Sequence, residues 1–450
     1  MDTTWPLSAA VVGLIILQAS LARNQLGSWL APGAFFGLMW ATVGVLSLSI
    51  TPEFRIWPGV LWILFMSCSA HLGGLLVWSA ESSSDLTSAS EGVASQRVNL
   101  PLALPFLLVS AVLGTAGVVY LASTWGQPVW AILSVSVVSM LSSHFAGMRY
   151  TDPDYREPTS FLVLSVFIYL SGYLGGMIFA RRGSRLEQLA ALSGVVPALL
   201  ETFVLGARTC LVCFVIHWIA SYCATRAYLG DRRLWQNWRR GLTTLGSGLL
   251  VLTTLYVMVQ MARMGTFAPG SIPVSTQREE VLVKFSVRTA EVQYVGYAAA
   301  FSKWFSENWD VWQAPGLGLY SFDGPAGWFG YKIRRNPEQI NISHYANANS
   351  SELTNVYSML RQLAFDWTLP GSSIFLLILS ALASLAYVKV RGHNAGYIPP
   401  IILYYQISLY VTSFALRTTL SDVAWVLFAG YMWLVFATET RGYLSESSES

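Results

Sequence analysis

His344 lies in a polar run, NISHYANAN, and is the single histidine between Met264 and Pro370. An imidazole titrating near neutrality suits a general base. Tyr345, Asn355, Tyr357 and Arg361 follow close behind. Their phenol, amide and guanidinium groups suit sugar hydroxyls and phosphate oxygens. Arg208 sits in LGARTC, between two apolar runs with hardly any loop. A cation at membrane depth costs about 3 kcal/mol on insertion scales, so it needs an anionic partner. Glu201, seven residues earlier, lies on about the same helical face two turns deeper. The pair reads either as a structural Arg–Glu contact or as a guanidinium aimed at a lipid-linked phosphate. Arg278 and Arg288 flank the start of an expected outer helix, Arg334 and Arg335 follow a Gly-rich stretch, and Arg417 lies in a short late loop. Arginine stays protonated and grips phosphate with a planar fork.

Other chemistries lack their residues. There is no Walker loop and no G-x-G-x-x-G at a strand-to-helix turn, and no soluble domain that could bind a nucleotide sugar. The first outer loop is only ARNQLGSW, so it lacks the acidic pair of metal-dependent lipid-linked glycosyltransferases. Cys210, Cys213 and His217 share a helical face and look like three zinc ligands, but no fourth is evident. They read as small apolar packing, with no metal and no cofactor expected. His71, His144 and His217 fall in apolar runs and read as packed or capping residues. A donor must therefore arrive through the membrane.

The elements that hold these residues are membrane helices. The chain has 450 residues, 54% hydrophobic and 11% charged, with a mean hydropathy of +0.49. Soluble domains carry about 25% charged residues. About twenty apolar residues make one crossing. Such runs occur near residues 5–21, 29–50, 57–78, 101–122, 129–147, 159–180, 189–205, 209–227, 241–261, 372–389, 397–416 and 421–438, twelve in all. The leading MDTTW carries no positive charge, so the first run reads as a retained helix. Gly172-x-x-x-Gly176 predicts close helix packing in the sixth run.

The fold expected is an all-α polytopic membrane protein: residues 1–263 a bundle of nine helices, 264–371 a large, partly helical outer segment, 372–440 three more helices, and 441–450 a cytoplasmic tail that is polar and disordered from Ser445. Within the outer segment, residues 279–309 read as a weakly amphipathic helix. Asn349-Ser-Ser-Glu352 resembles a capping box that would start a second helix, running to about Trp367 and stopped by Pro370-Gly371. Cations cluster at Arg181, Arg182 and Arg185, at Arg226 to Arg240, and at Lys389 and Arg391. If the twelve runs alternate, these loops share one side with Arg55 and Arg441. The positive-inside rule then puts both termini in the cytoplasm and residues 264–370 outside.

Two stretches, SGVVPALLETFVLGARTCLVCFVIHW and TNVYSMLRQLAFDWTLPGSSIFLL, resemble patterns of the O-antigen polymerases, the Wzy-type family of bacterial repeat-unit polymerases. The first is a span ending in an arginine turn. The second is an Asn-x-Tyr helix leading to an Asp-Phe-Gly-like turn, which here is Asp366-Trp367-Thr368 with Gly371. The resemblance implies a GT-C-like glycosyltransferase of the bacterial inner membrane, acting on undecaprenyl-pyrophosphate oligosaccharides as both donor and acceptor. Arg208 and Arg288 would clamp the donor pyrophosphate and His344 would take the acceptor proton. The resemblance also implies surrounding membrane lipid, a chain-length regulator as partner, and no nucleic acid. Two rivals stay open: an O-antigen ligase, which transfers the same donor to lipid A core, and a flippase or transporter of the lipid-linked oligosaccharide.

Overall fold

The computed structural model describes residues 4–50, 59–81, 102–151, 156–207, 209–231, 359–412 and 419–448, helical fragments between 250 and 306, and the pairs 343–344 and 353–354. Helices α1 (Thr4–Leu26), α2 (Pro32–Ile50), α3 (Gly59–Glu81) and α4 (Ala103–Ser123) come first. They are followed by α5 (Val135–Thr151), α6 (Thr159–Ala180), α7 (Arg185–Ala190), α8 (Val195–Leu205) and α9 (Thr209–Tyr228). Later in the chain come α10 (Met359–Arg391), α11 (Ile398–Thr412) and α12 (Thr419–Ser448). Among the described residues the one strand pairing is between β1 (Ser343–His344) and β2 (Leu353–Thr354), two residues each. Among the described residues, eight spans are long and apolar enough to cross a membrane, counting α7 and α8 as one. The chain is thus an all-helical polytopic membrane protein.

Small residues set the packing. The carbonyl of Trp218 and the amide of Tyr222 on α9 fill the space beside Gly176, and Phe214 and His217 press on Gly172. The expected close approach in the sixth run is therefore made, and its partner is α9. Since residue numbers rise together across that contact, α6 and α9 run parallel.

Close contacts orient the other helices as well. Ser372 and Ser373 reach the Met66 sulfur (3.8 and 3.2 Å), and Ser380 donates to the Ala70 carbonyl at 2.6 Å. So α3 and α10 are parallel. Gly114 meets Ile168 and Gly117 meets Leu164, which makes α4 and α6 antiparallel. Twelve alternating spans require the opposite in both cases. The cause is the fifth run. In α5, His144 and Phe145 lie against Trp125, just past the end of α4, at ring distances of 4.0 and 5.7 Å. Ser142 touches Gly206 at the end of α8. Helix α5 therefore lies across one end of the bundle and returns the chain to the side it came from. It is short and contains serines, so it lacks the apolar length to cross.

Removing that crossing reverses α1 to α4 relative to the arrangement of twelve alternating spans. Helix α1 ends where Leu26 meets Gly74 and Ser384 lies beside them, near the end of α10. Helix α12 passes Phe428 against Tyr173 and then Tyr431 against Phe106, at the start of α4. The start of α1 and the end of α12 thus lie at opposite ends of the bundle. The end where Tyr228 meets His393 (5.6 Å) carries Arg23, Arg181, Arg182, Arg185, Arg226, Lys389 and Arg391. We call it the basic end and its opposite the site end.

Three more expectations change. The capping-box helix does not start at residue 349: Leu353 and Thr354 pair with His344 and Ser343, and helix begins at Met359. The tail is helical as far as Ser448. The seventh run is two pieces, α7 and α8, joined by a turn at residues 191–194.

Candidate functional site

Two features lie at the site end. The first is a break in α10. Thr368 has φ 65° and ψ 173° inside an otherwise helical segment. Pro370 supplies no amide proton and disfavours helix at the residue before it. The Thr368 hydroxyl accepts from the Gly371 amide at 3.4 Å, which caps the second half of the helix. Trp367 and Phe375 stack across the break at 5.4 Å. The expected stop at Pro370-Gly371 is real as a break, after which helix resumes at once.

Just before the break, Arg361 is 7% exposed and Asp366 is fully buried. The Arg361 guanidinium lies over Phe365 at 5.3 Å and over Trp304 at 5.7 Å, and those two rings meet edge-on at 5.4 Å. A desolvated cation over aromatic faces gains about 2 kcal/mol. Trp304 belongs to helical residues 304–306 of the expected 279–309 helix. That fragment is tied to α3: Ser302 accepts from the Gly59 amide at 3.0 Å, and Phe305 stacks on Trp62 at 5.8 Å. Ser302 and Phe305 therefore fasten this part of the chain to α3 beside Arg361.

The second feature is the α8–α9 turn. Gly206 adopts φ 59°, which a glycine allows without strain, and the chain reverses at Ala207. The Thr202 hydroxyl accepts from the Leu211 amide at 3.1 Å and locks the turn. Glu201 is 3% exposed on α8, where the sequence placed it, close enough to Tyr169 to interact electrostatically. The Arg263 side chain packs against Gly206, and the Ala262 carbonyl accepts from Ser139 at 3.0 Å. Arg263 escaped the sequence reading. Its signal was a cation closing an apolar run, VLTTLYVMVQMAR, at the membrane boundary.

Of the residues singled out from sequence, Glu201 and Arg361 are buried at this end. His344 is described through its backbone, in the strand pair. Arg208, Arg278, Arg288, Arg334, Arg335, Tyr345, Asn355, Tyr357 and Arg417 lie outside the described residues. No three His, Cys, Asp or Glu side chains among the described residues could hold a metal. In particular, both ring nitrogens of His217 are taken up in hydrogen bonds, to the Cys213 carbonyl and to Ser421.

The arrangement offers a permanent cation in an aromatic cradle and a buried carboxyl at a helix break, next to where Trp304 joins the bundle. Such a site can hold an anionic group and exclude water from it. Searches of family models, curated proteins and solved structures return no match to this chain.

Proposed function

We propose that the protein polymerises lipid-linked oligosaccharide repeat units by metal-independent glycosyl transfer, with undecaprenyl-pyrophosphate sugars as donor and acceptor. The observation that carries this reading is the buried Arg361, set among aromatic rings beside buried Asp366 at the broken helix. A buried cation in a membrane protein marks a functional site by default, and arginine is the side chain suited to phosphate. Aromatic faces suit the apolar faces of sugar rings. The seven cations at the opposite end support a cytoplasmic basic end and a site end facing the periplasm of a bacterial inner membrane.

In this reading Arg208, Arg263 and Arg288 neutralise the pyrophosphate as the C1–O bond breaks, and Arg361 holds a phosphate or sugar group at the helix break. Tyr345, Asn355, Tyr357, Arg278, Arg334, Arg335 and Arg417 contribute to substrate binding, and Glu201 holds the α8–α9 turn. His344 takes the proton from the acceptor hydroxyl, and the growing chain moves onto the next lipid-linked unit. Fixed positive charge aimed at a developing diphosphate stabilises the transition state without reorganisation.

A transporter of the same lipid-linked sugar is the second reading, favoured by the buried polar network around His217, since polar groups at membrane depth mark transport pathways. One experiment separates them: purified protein with lipid-linked repeat unit, without added nucleotide or metal. A ladder of longer products supports the polymerase. Products only when lipid A core is added indicate the ligase. Unchanged substrate that appears on the far side of a vesicle indicates transport.

A further inference from the structure

Midway through the bundle, four helices meet around His217 of α9, which is fully buried. Tyr169 and Tyr173 of α6 lie at ring distances of 5.4 and 4.6 Å, and Tyr410 of α11 at 6.3 Å. Gln406 of α11 and Ser421 of α12, both fully buried, complete the shell. The titratable groups on the surrounding elements are Tyr169 and Tyr173, Cys213 on the same face of α9, Tyr410, the carboxyl of Glu201 on α8 behind Tyr169, and Asp422 beside Ser421.

The hydrogen bonds determine where the imidazole proton sits. Nδ1 faces the Cys213 carbonyl, which can only accept, so Nδ1 carries the hydrogen. Nε2 meets the Ser421 hydroxyl at 2.5 Å and the Gln406 amide nitrogen at 3.0 Å. The same amide nitrogen donates to Ser421 at 3.0 Å, and the Tyr410 phenol also interacts with that hydroxyl. With hydrogen on Nδ1, Nε2 is a bare acceptor, so the Ser421 hydrogen points at it. Two donors thus converge on one lone pair, and the network is built for neutral imidazole. The Gln406 oxygen accepts from Tyr173 at 2.8 Å, and Ser221 donates to the Tyr173 carbonyl at 2.6 Å.

A proton on Nε2 would face the amide hydrogens of Gln406. Half a turn of that amide removes the conflict at Nε2, while the Tyr173 hydroxyl hydrogen turns away from Gln406. Its oxygen then accepts from the imidazolium and from Ser421, while its nitrogen donates to the Tyr173 hydroxyl. The two ends of a carboxamide are nearly the same shape, so the turn needs no repacking.

We propose that His217 is a proton-binding site inside the membrane bundle, and that the Gln406 amide selects between its empty and loaded states. The ligand is a proton drawn from water. It adds to Nε2, no other bond breaks, and no electrons move. Loading reverses the direction of the Tyr173–Gln406 bond and so changes how α11 and α12 are held against α6 and α9. His217 lies about 12 Å along α9 from Thr209, at the rise of 1.5 Å per residue, so the change reaches the α8–α9 turn through one rigid helix. The proposal stands apart from the glycosyl-transfer reading, because its test reads the imidazole and not the reaction.

The test uses the full chain, with histidine labelled at its ring nitrogens, in lipid nanodiscs followed by nitrogen NMR across pH 5 to 9. His217→Gln identifies the signals of His217 by their loss. The expected result is a neutral ring with hydrogen on Nδ1 at pH 7.5. Gln406→Glu puts an acceptor oxygen permanently beside Nε2 and should hold the ring doubly protonated at that pH. Ser421→Ala removes one donor from the neutral form and should move the titration to higher pH. A wild-type ring with hydrogen on Nε2, a ring already charged at pH 7.5, or a ring left neutral in the monodisperse Gln406→Glu protein would each overturn the proposal.

Discussion

The backbone carbonyl of Trp218 occupies the space that a β-carbon on Gly176 would need. Two fully packed helices, α6 and α9, meet there backbone to backbone, and the ring of Trp218 stacks on Tyr222 beside the contact (5.6 Å). Gly176→Ala should therefore force the helices apart. Overpacking of this kind costs about 1–3 kcal/mol. Thermal unfolding in detergent should show a clear fall in the midpoint. Gly13→Ala, where nothing lies within 4 Å of the new methyl group, should leave the midpoint unchanged or raise it. Equal effects at both positions would contradict the packing described.

The chain ends offer a direct check on topology. A reporter fused before Met1 and another fused after Ser450 should report opposite sides of the membrane, the second on the side of Lys389 and Arg391. Reporters on one side would restore α5 as a full crossing and overturn the end-on placement of Trp125 against His144.

Arg361 separates charge from shape. Arg361→Lys keeps the charge but loses the planar face that lies over Phe365 and Trp304. Polymer formation by purified Arg361→Lys protein should fall about tenfold or more, and Arg361→Ala should abolish it while the protein still accumulates in the membrane. Wild-type product lengths from Arg361→Ala would remove this residue from the site.

Arg208 and His344 carry the chemical core of the proposal. Arg208→Ala should abolish polymerisation in cells at unchanged protein level, since a positioned cation on a leaving diphosphate is worth about 10²–10³ in rate. His344→Ala should lower the rate by about 10²–10⁴, the usual span for a general base. Full activity in the second variant would move the base role to Asp366, the buried carboxyl at the helix break.

Part of the architecture is legible in the sequence alone. Composition and apolar run lengths establish a polytopic helical membrane protein, because hydrocarbon admits a long backbone only if its hydrogen bonds close within the helix. The Gly172 and Gly176 spacing announced a close contact, and Pro370-Gly371 announced a break, because both depend on local stereochemistry. The depth of Glu201 followed from its place in an apolar run. Arg361 read as one polar side chain among several; only the arrival of Trp304 from a distant segment makes it a buried cation.

The side on which each loop lies required the tertiary structure. Hydropathy treats Val129–Gly147 as one more crossing, because apolar content is all it counts. Whether such a run passes through the bundle or lies across its end depends on what packs beside it, here Trp125, Gly206 and Ala262. One miscounted crossing reverses every element before it, so the inventory of helices was a property of sequence and their direction a property of packing. The His217 network has the same origin. Histidine, glutamine, serine and tyrosine on four helices have no common spacing along the chain, and become partners only where those helices meet.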